Sequence, residues 1–232
     1  MQSLNCQQCS ARLEGFFGGL NAEGIAQCNQ HTTNTYKAGQ VLFYEGNPAF
    51  GVYCVYSGRI KLYKTSRGGR LQIVRLAGPG DLIGYRCLFA EESYTATAEA
   101  MEDATVCFIE KAVFLPLLSQ QPDLATKMIR KLSAELRQAE DRMADIAQKS
   151  VKERLAELLL LLKETYGKVT PAGTEIGLAL SREEMAEMIG TTQESVIRLL
   201  SEFKAKGIIH LDGRQIVIVN PKLLLRIAHI EV

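Results

Sequence analysis

The stretch SREEMAEMIGTTQESVIRLLSEFK, residues 181–204, holds side chains of the right types and spacing to read base pairs. Arg198 can donate two parallel hydrogen bonds to O6 and N7 of guanine, Glu194 can accept from the N4 amino group of cytosine, and Gln193 suits adenine. With Ile197 they take one side of a helix, near the N-terminal end that would enter a major groove. Ser181, Arg182 and Thr192 flank them with groups suited to phosphate oxygens. The implied chemistry is recognition of double-stranded DNA.

Two helices must hold these groups. Residues 182–189 form the first, with Ser181 as N-cap and Glu184 completing a capping box. Gly190 ends it where a left-handed residue is needed, and Thr191 or Thr192 caps a second helix that runs to about Lys204. Met185, Ile189, Val196, Leu199 and Leu200 supply the shared apolar wedge, with Ala186 small enough to let the helices cross. GIIHLDGRQIVIV then reads as two short strands joined by Asp212-Gly213, which adds a wing. Between Gln193 and Arg226 six cations stand against three anions, a local basic face. The competing assignment is an ordinary helical hairpin whose charges are merely solvated.

The 232 residues allow two domains, and 47% apolar with 23% charged residues is ordinary for a globular chain. A net charge of +1 excludes a polybasic membrane-binding tail and a non-specific nucleic-acid coat. No apolar run is long enough to span a bilayer, and the N-terminus has no basic-then-apolar leader pattern, so a cytoplasmic protein with no membrane partner is expected. Six irregularly spaced cysteines read as reduced thiols or ligands, not as a disulfide framework. With His31, His210 and His229 isolated and no Walker loop present, no enzyme is expected. The rival from another class is a thiol or metal enzyme built on CQQC, yet that motif precedes loop-like sequence and opens no helix of a βαβ unit.

Residues 33–114 alternate short β-rich runs with glycine turns every 8 to 12 residues or so, the pattern of an antiparallel sandwich or barrel. From Pro122 the spacing changes to Ala125, Ile129, Leu132, Leu136, Ala139, Met143 and Ile146, a narrow coiled-coil seam. Two copies should pair along it as a homodimer. A second apolar helix, VKERLAELLLLLKETYG, should support the DNA-reading helices, with a hinge at Ser150 and Val151. The fold class is α+β, divided at 1–120, 121–149 and 150–232.

AGQVLFYEGNPA, SGRIKLY, GDLIG and TTQESVIRLL together resemble the Crp/Fnr family of bacterial transcription regulators, over the span from Cys6 to Pro221. The resemblance implies a cyclic-nucleotide-binding-like β-roll (jelly roll), a long dimerisation helix and a C-terminal winged helix-turn-helix. It further implies a palindromic DNA site with TGA/TCA-like inner half-sites, contacts from Glu194 and Arg198 to a G·C pair, and RNA polymerase as a partner.

Departures bear on the effector. Where cyclic-AMP-binding members carry a ribose-binding glutamate and an Arg-Ser pair for the phosphate, this chain has Tyr85 and then Tyr94 and Thr95; the adenine-facing hydroxyl residues are replaced by Ala139 and Glu140. Losing the arginine removes a bidentate phosphate grip, so cyclic AMP in its usual mode is not expected. Arg75, Tyr85, Arg86, Tyr94, Thr95 and Glu140 remain the candidate effector pocket. The oxygen-sensing branch holds an iron–sulfur cluster, and Cys6, Cys9 and Cys107 match three of its ligands while Gly15 stands at the fourth. Such a cluster needs four thiolates, and Cys28 could substitute only if the loop between folds back. The alternative is that Cys6 and Cys9 are a thiol–disulfide pair or a relic in a loose terminus, and that Cys54, Cys87 and Cys107 are small buried hydrophobes. Ala139 stands where oxygen-sensing relatives carry a repulsive acid, which implies a constitutive dimer whose signal acts by rotation about Ser150.

Overall fold

The computed structural model describes residues 4–230. Two compact units divide the chain, 1–135 and 136–232, with the break inside the long helix.

The first unit begins with a 3-10 turn, Cys6–Gln8, then α1 (Ser10–Glu14) and α2 (Ala22–Cys28). One alternative for Cys6 and Cys9 was a relic in a loose terminus, and the structure shows the segment held. Arg12 is 6% exposed, and its guanidinium donates to the carbonyls of Cys6 at 2.6 Å and Phe17 at 3.3 Å. A buried guanidinium satisfied by main-chain oxygens fastens the segment while Phe16 and Phe17 join the core.

Eight strands follow: β1 (Thr32–Tyr36), β2 (Val41–Phe43), β3 (Gly51–Ser57), β4 (Ile60–Thr65), β5 (Leu71–Ala77), β6 (Leu82–Ile83), β7 (Thr97–Ala100) and β8 (Ala104–Glu110), with α3 (Tyr85–Ala90) between β6 and β7. They make two antiparallel sheets, ordered β1-β8-β3-β6 and β2-β7-β4-β5, as the glycine-punctuated runs foretold. Phe43, Val55, Ile60, Ile83, Tyr94 and Val106 form one core of this roll. A second core joins Val52, Leu82 and Tyr85 to Phe114 and Leu117 of α4 (Lys111–Gln120) and to Leu124 and Met128 of α5 (Pro122–Gln148).

Along α5 the apolar positions part company. Leu124 and Met128 are buried, and Leu132, expected on the seam, rests partly on the roll's own core. Ile129 (65% exposed), Leu136 (62%), Met143 (73%) and Ile146 (55%) remain open. Their spacing of seven, seven and three residues is that of one coiled-coil stripe.

The second unit contains α6 (Val151–Tyr166), β9 (Gly167–Thr170), β10 (Gly173–Ile176), α7 (Arg182–Ile189), α8 (Gln193–Ala205), β11 (Ile209–Asp212), β12 (Gln215–Ile218) and α9 (Pro221–Ile227). Ser150 caps α6 in a reciprocal box with Glu153. Leu155, Leu159 and Leu162 of α6 are buried with Val196, Leu200 and Phe203 of α8. The sheet order is β11-β12-β10-β9, so the wing hairpin is extended by a second hairpin. The wing's loop differs by one residue from expectation. Asp212 pairs with Gln215, leaving Gly213-Arg214 as the two-residue turn, with Gly213 at φ 56° in the first central position.

Candidate nucleic-acid interface

Local chemistry sets the angle between α7 and α8. The Ser181 hydroxyl accepts the Glu184 N–H at 3.0 Å while the Glu184 carboxylate accepts the Ser181 N–H at 2.9 Å, so α7 starts at one defined residue. Gly190 ends it at φ 68°, ψ 53°, a conformation costly for a side-chain-bearing residue. Thr192 then caps α8 by accepting the Ser195 N–H at 3.4 Å. Met185, Ala186, Ile189, Val196, Leu199 and Leu200 are all buried at the crossing, with Ala186 at 3% exposure where bulk would force the helices apart.

That wedge leaves Gln193, Glu194, Ile197 and Arg198 exposed on the other face of α8. Glu194 accepts from its own backbone N–H and from the Thr192 hydroxyl, which holds its carboxyl below the usual range and keeps it an acceptor. The charges suit donation to guanine and acceptance from cytosine along one groove floor.

The three phosphate candidates divide. Ser181 and Thr192 oxygens accept backbone protons in their caps, and the Thr192 hydroxyl oxygen lies 3.2 Å from that of Ser195. Arg182 turns away from the role expected of it: its Nη2 donates to the Gly213 carbonyl at 2.9 Å, its Nη1 is buried without a partner, and burial lowers its pKa. It ties α7 to the wing turn. Arg214, exposed in that turn, is a cation free to face a phosphate, a candidate the sequence reading counted only toward the local basic charge, although its place after Asp212-Gly213 was a usable signal. Lys206 is paired with Glu202 at 2.7 Å, as is Lys152 at 2.7 Å, which leaves Arg198, Lys204, Arg214, Lys222 and Arg226 as the other exposed cations of this region.

In the roll, three of the six effector candidates meet. The Arg75 Nη1 donates to the Tyr85 hydroxyl at 3.4 Å, and Arg86 lies beside them on Glu135. Tyr94 is committed elsewhere, stacked on Phe43 at 3.9 Å with its hydroxyl donating to the Gly51 carbonyl at 3.1 Å. Thr95 is exposed, its hydroxyl 3.9 Å from the Cys87 sulfur, and Glu140 is exposed on α5.

The cysteines do not fit a four-thiolate cluster. Cys6, Cys9, Cys28, Cys54 and Cys107 lie close enough to act on one another electrostatically, and the Cys6 N–H donates to Asn29 Oδ1 at 2.8 Å, so the loop to Cys28 does fold back, but among the described residues no group of three or more His, Cys, Asp or Glu side chains is arranged to hold a metal ion. A Cβ on Gly15, at the missing fourth position, would lie 2.4 Å from the Gly80 carbonyl oxygen, since the two backbones are in contact. The Cys9 sulfur caps α1 by accepting the Arg12 N–H at 3.3 Å, and the Cys6 sulfur lies 3.7 Å from His31 Nδ1. Burial pushes the Cys28 thiol up to about 12 and the Cys107 thiol up to about 11 and also raises Cys54, which favours the neutral thiol in each.

Two family models match the chain, a cyclic nucleotide-binding domain over residues 33–121 and a Crp-like helix-turn-helix domain over residues 153–227. Among solved structures it is similar to FixK2 from Bradyrhizobium japonicum, at 31% identity and a TM-score of 0.75 over 85% of this chain and 96% of that one. The anaerobic regulatory protein of Haemophilus influenzae is 28% identical over 93% of this chain and 84% of its own length. The CRP-like cAMP-activated global transcriptional regulator of Mycobacterium tuberculosis is 25% identical over 91% of this chain and 95% of its own.

Proposed function

The chain belongs to the Crp/Fnr family of DNA-binding transcription regulators, and on that footing we propose that two copies pair along α5 and read a palindromic duplex. The N-terminal turn of each α8 enters a major groove, with half-sites about one helical turn, roughly 34 Å, apart. Arg198 donates to guanine, Glu194 accepts from cytosine, and Gln193 and Ile197 tune neighbouring positions. Ser181, Thr192 and Arg214 take phosphates, and Arg182 positions the wing.

The observation that carries this reading is the exposure of Gln193, Glu194 and Arg198 on a helix whose start and crossing are fixed by caps and a buried wedge. Pairing is supported by the open stripe on α5. The protein acts by binding and not by catalysis, in the cytoplasm, and meets RNA polymerase on the promoter. Cyclic AMP in its usual mode is not the effector: Tyr94 and Thr95 bring no cation to a cyclic phosphate, and the Tyr94 hydroxyl is already engaged. An iron–sulfur cluster is likewise left out, because the fourth ligand position is a backbone contact.

Arg198→Ala tests the groove assignment in fluorescence anisotropy on a selected duplex. Affinity should fall by about 1 to 3 kcal/mol, with choice relaxed at one base pair per half-site. A uniform loss across all sequences would instead make Arg198 a phosphate contact, and unchanged selectivity removes it from the reading face.

A further inference from the structure

Glu135 of α5 is gripped from three elements at once. Arg86 donates through Nε at 2.9 Å and Nη2 at 2.6 Å to one carboxylate oxygen, which also accepts the Tyr85 hydroxyl proton. Arg75 reaches the other oxygen at 3.1 Å, and Lys131 at 3.5 Å. The Glu135 side chain is 11% exposed, and Tyr85 is 1% exposed with its one polar atom aimed at it. Asp81 borders the group, 3.4 Å from Arg75 and 3.6 Å from Lys131.

This is unlike the molecule's ordinary ion pairs. Lys37 and Asp103, for instance, meet one to one with side chains 78% and 65% exposed. Here three cations and a buried phenol converge on a single carboxylate, the donor set expected of an anion-binding site. Without Glu135 the Arg86 guanidinium and the Tyr85 phenol would lose their acceptor and Arg75 would keep only Asp81, a costly state that calls for an anion. The site and its occupant lie on one chain.

We propose that Glu135 is an internal ligand: Arg75, Tyr85, Arg86 and Lys131 form a carboxylate-binding site in the roll, and α5 fills it with its own side chain. The site latches the first half of α5 to the roll, so the seam stands ready for pairing without a diffusible effector. This consequence rests on the pairing proposed above; the site itself does not.

Chemical rescue tests it on the full-length protein. Glu135→Ala empties the site, and amide hydrogen exchange across residues 122–135 should quicken about tenfold or more, as expected for a lost charge-assisted contact. Sodium acetate, compared with sodium chloride at equal ionic strength, should slow that exchange again in the alanine variant and leave the wild type unchanged. Glu135→Gln, whose amide fills the space without the charge, should be loosened and insensitive to acetate. The proposal is overturned if acetate fails to protect the alanine variant or protects the wild type equally, or if the glutamine variant exchanges like the wild type. The glutamine arm still decides should the alanine variant not fold. No DNA enters this readout, so failure of the DNA-reading assignment would show separately as a wild type that binds no duplex.

Discussion

Met143→Glu strikes the stripe on α5 where it is most open, at 73% exposure in the single chain. Because the side chain touches little of its own protomer, the change should leave the folding of the roll and of the winged helix intact. Fully burying a methionine is worth about 1.5 to 3 kcal/mol, so closing off the exposed three-quarters contributes about 1 to 2 kcal/mol per copy. A symmetric pair loses that twice. Two carboxylates brought across a two-fold axis at about 4 Å add about 1 to 4 kcal/mol of repulsion. Together the dimer should weaken by about 3 to 8 kcal/mol, a shift of roughly two to six decades in its dissociation constant. Sedimentation velocity at micromolar protein reads this directly: a dimer for the wild type and a monomer for the variant. A variant that pairs as tightly as the wild type, or a wild type that stays monomeric at every concentration, would rule out pairing along this stripe.

Gly15→Cys supplies the cysteine that a four-thiolate cluster lacks, but its Cβ meets the Gly80 carbonyl, so melting should fall by the equivalent of about 1 to 3 kcal/mol of overpacking. Supplied anaerobically with iron and sulfide it should stay colourless; a brown chromophore would contradict the fit. The Glu135 latch has a defined pH window. Burial alone would raise its carboxyl, but Arg75, Tyr85 and Arg86 outweigh that and hold it below the ordinary 4.5. With the folded value beneath the unfolded one, the stabilisation is complete above about 4.5 and fades as pH falls through the folded value. Arg75, Arg86, Lys131 and Asp81 are the charged groups around Glu135. The melting difference between wild type and Glu135→Gln should therefore be flat from pH 8 to about pH 5 and shrink below, and a difference already gone at pH 7 would contradict the geometry.

Much of the DNA-reading unit was legible because its signals are local. Ser181 with Glu184, then Gly190 and Thr192, mark helix ends by their own chemistry, and α7 runs over the residues they delimit. The wing turn slipped by one residue, since Asp-Gly announces a hairpin without saying which two residues stay unpaired. The β9–β10 hairpin went unseen because GKVT and GTEI are short and carry no alternation, with Val169 92% exposed. Residues 6–28 read as loop because helices of five and seven residues are too short to show a period; the buried Arg12 and the two phenylalanines hold them instead. Glu135 looked like one more charge flanking a seam. Its partners Arg75, Tyr85 and Arg86 lie 49 to 60 residues upstream, and only the folded roll brings them to α5.

Selection from a random duplex library with the wild-type protein asks most directly whether paired α8 helices read DNA. Enrichment of a two-fold symmetric sequence is expected, its half-sites one helical turn apart, with the G·C pair of each half-site lost from the pool selected by Arg198→Ala. Enrichment of no symmetric sequence, or of the same one by both proteins, would contradict groove reading by α8.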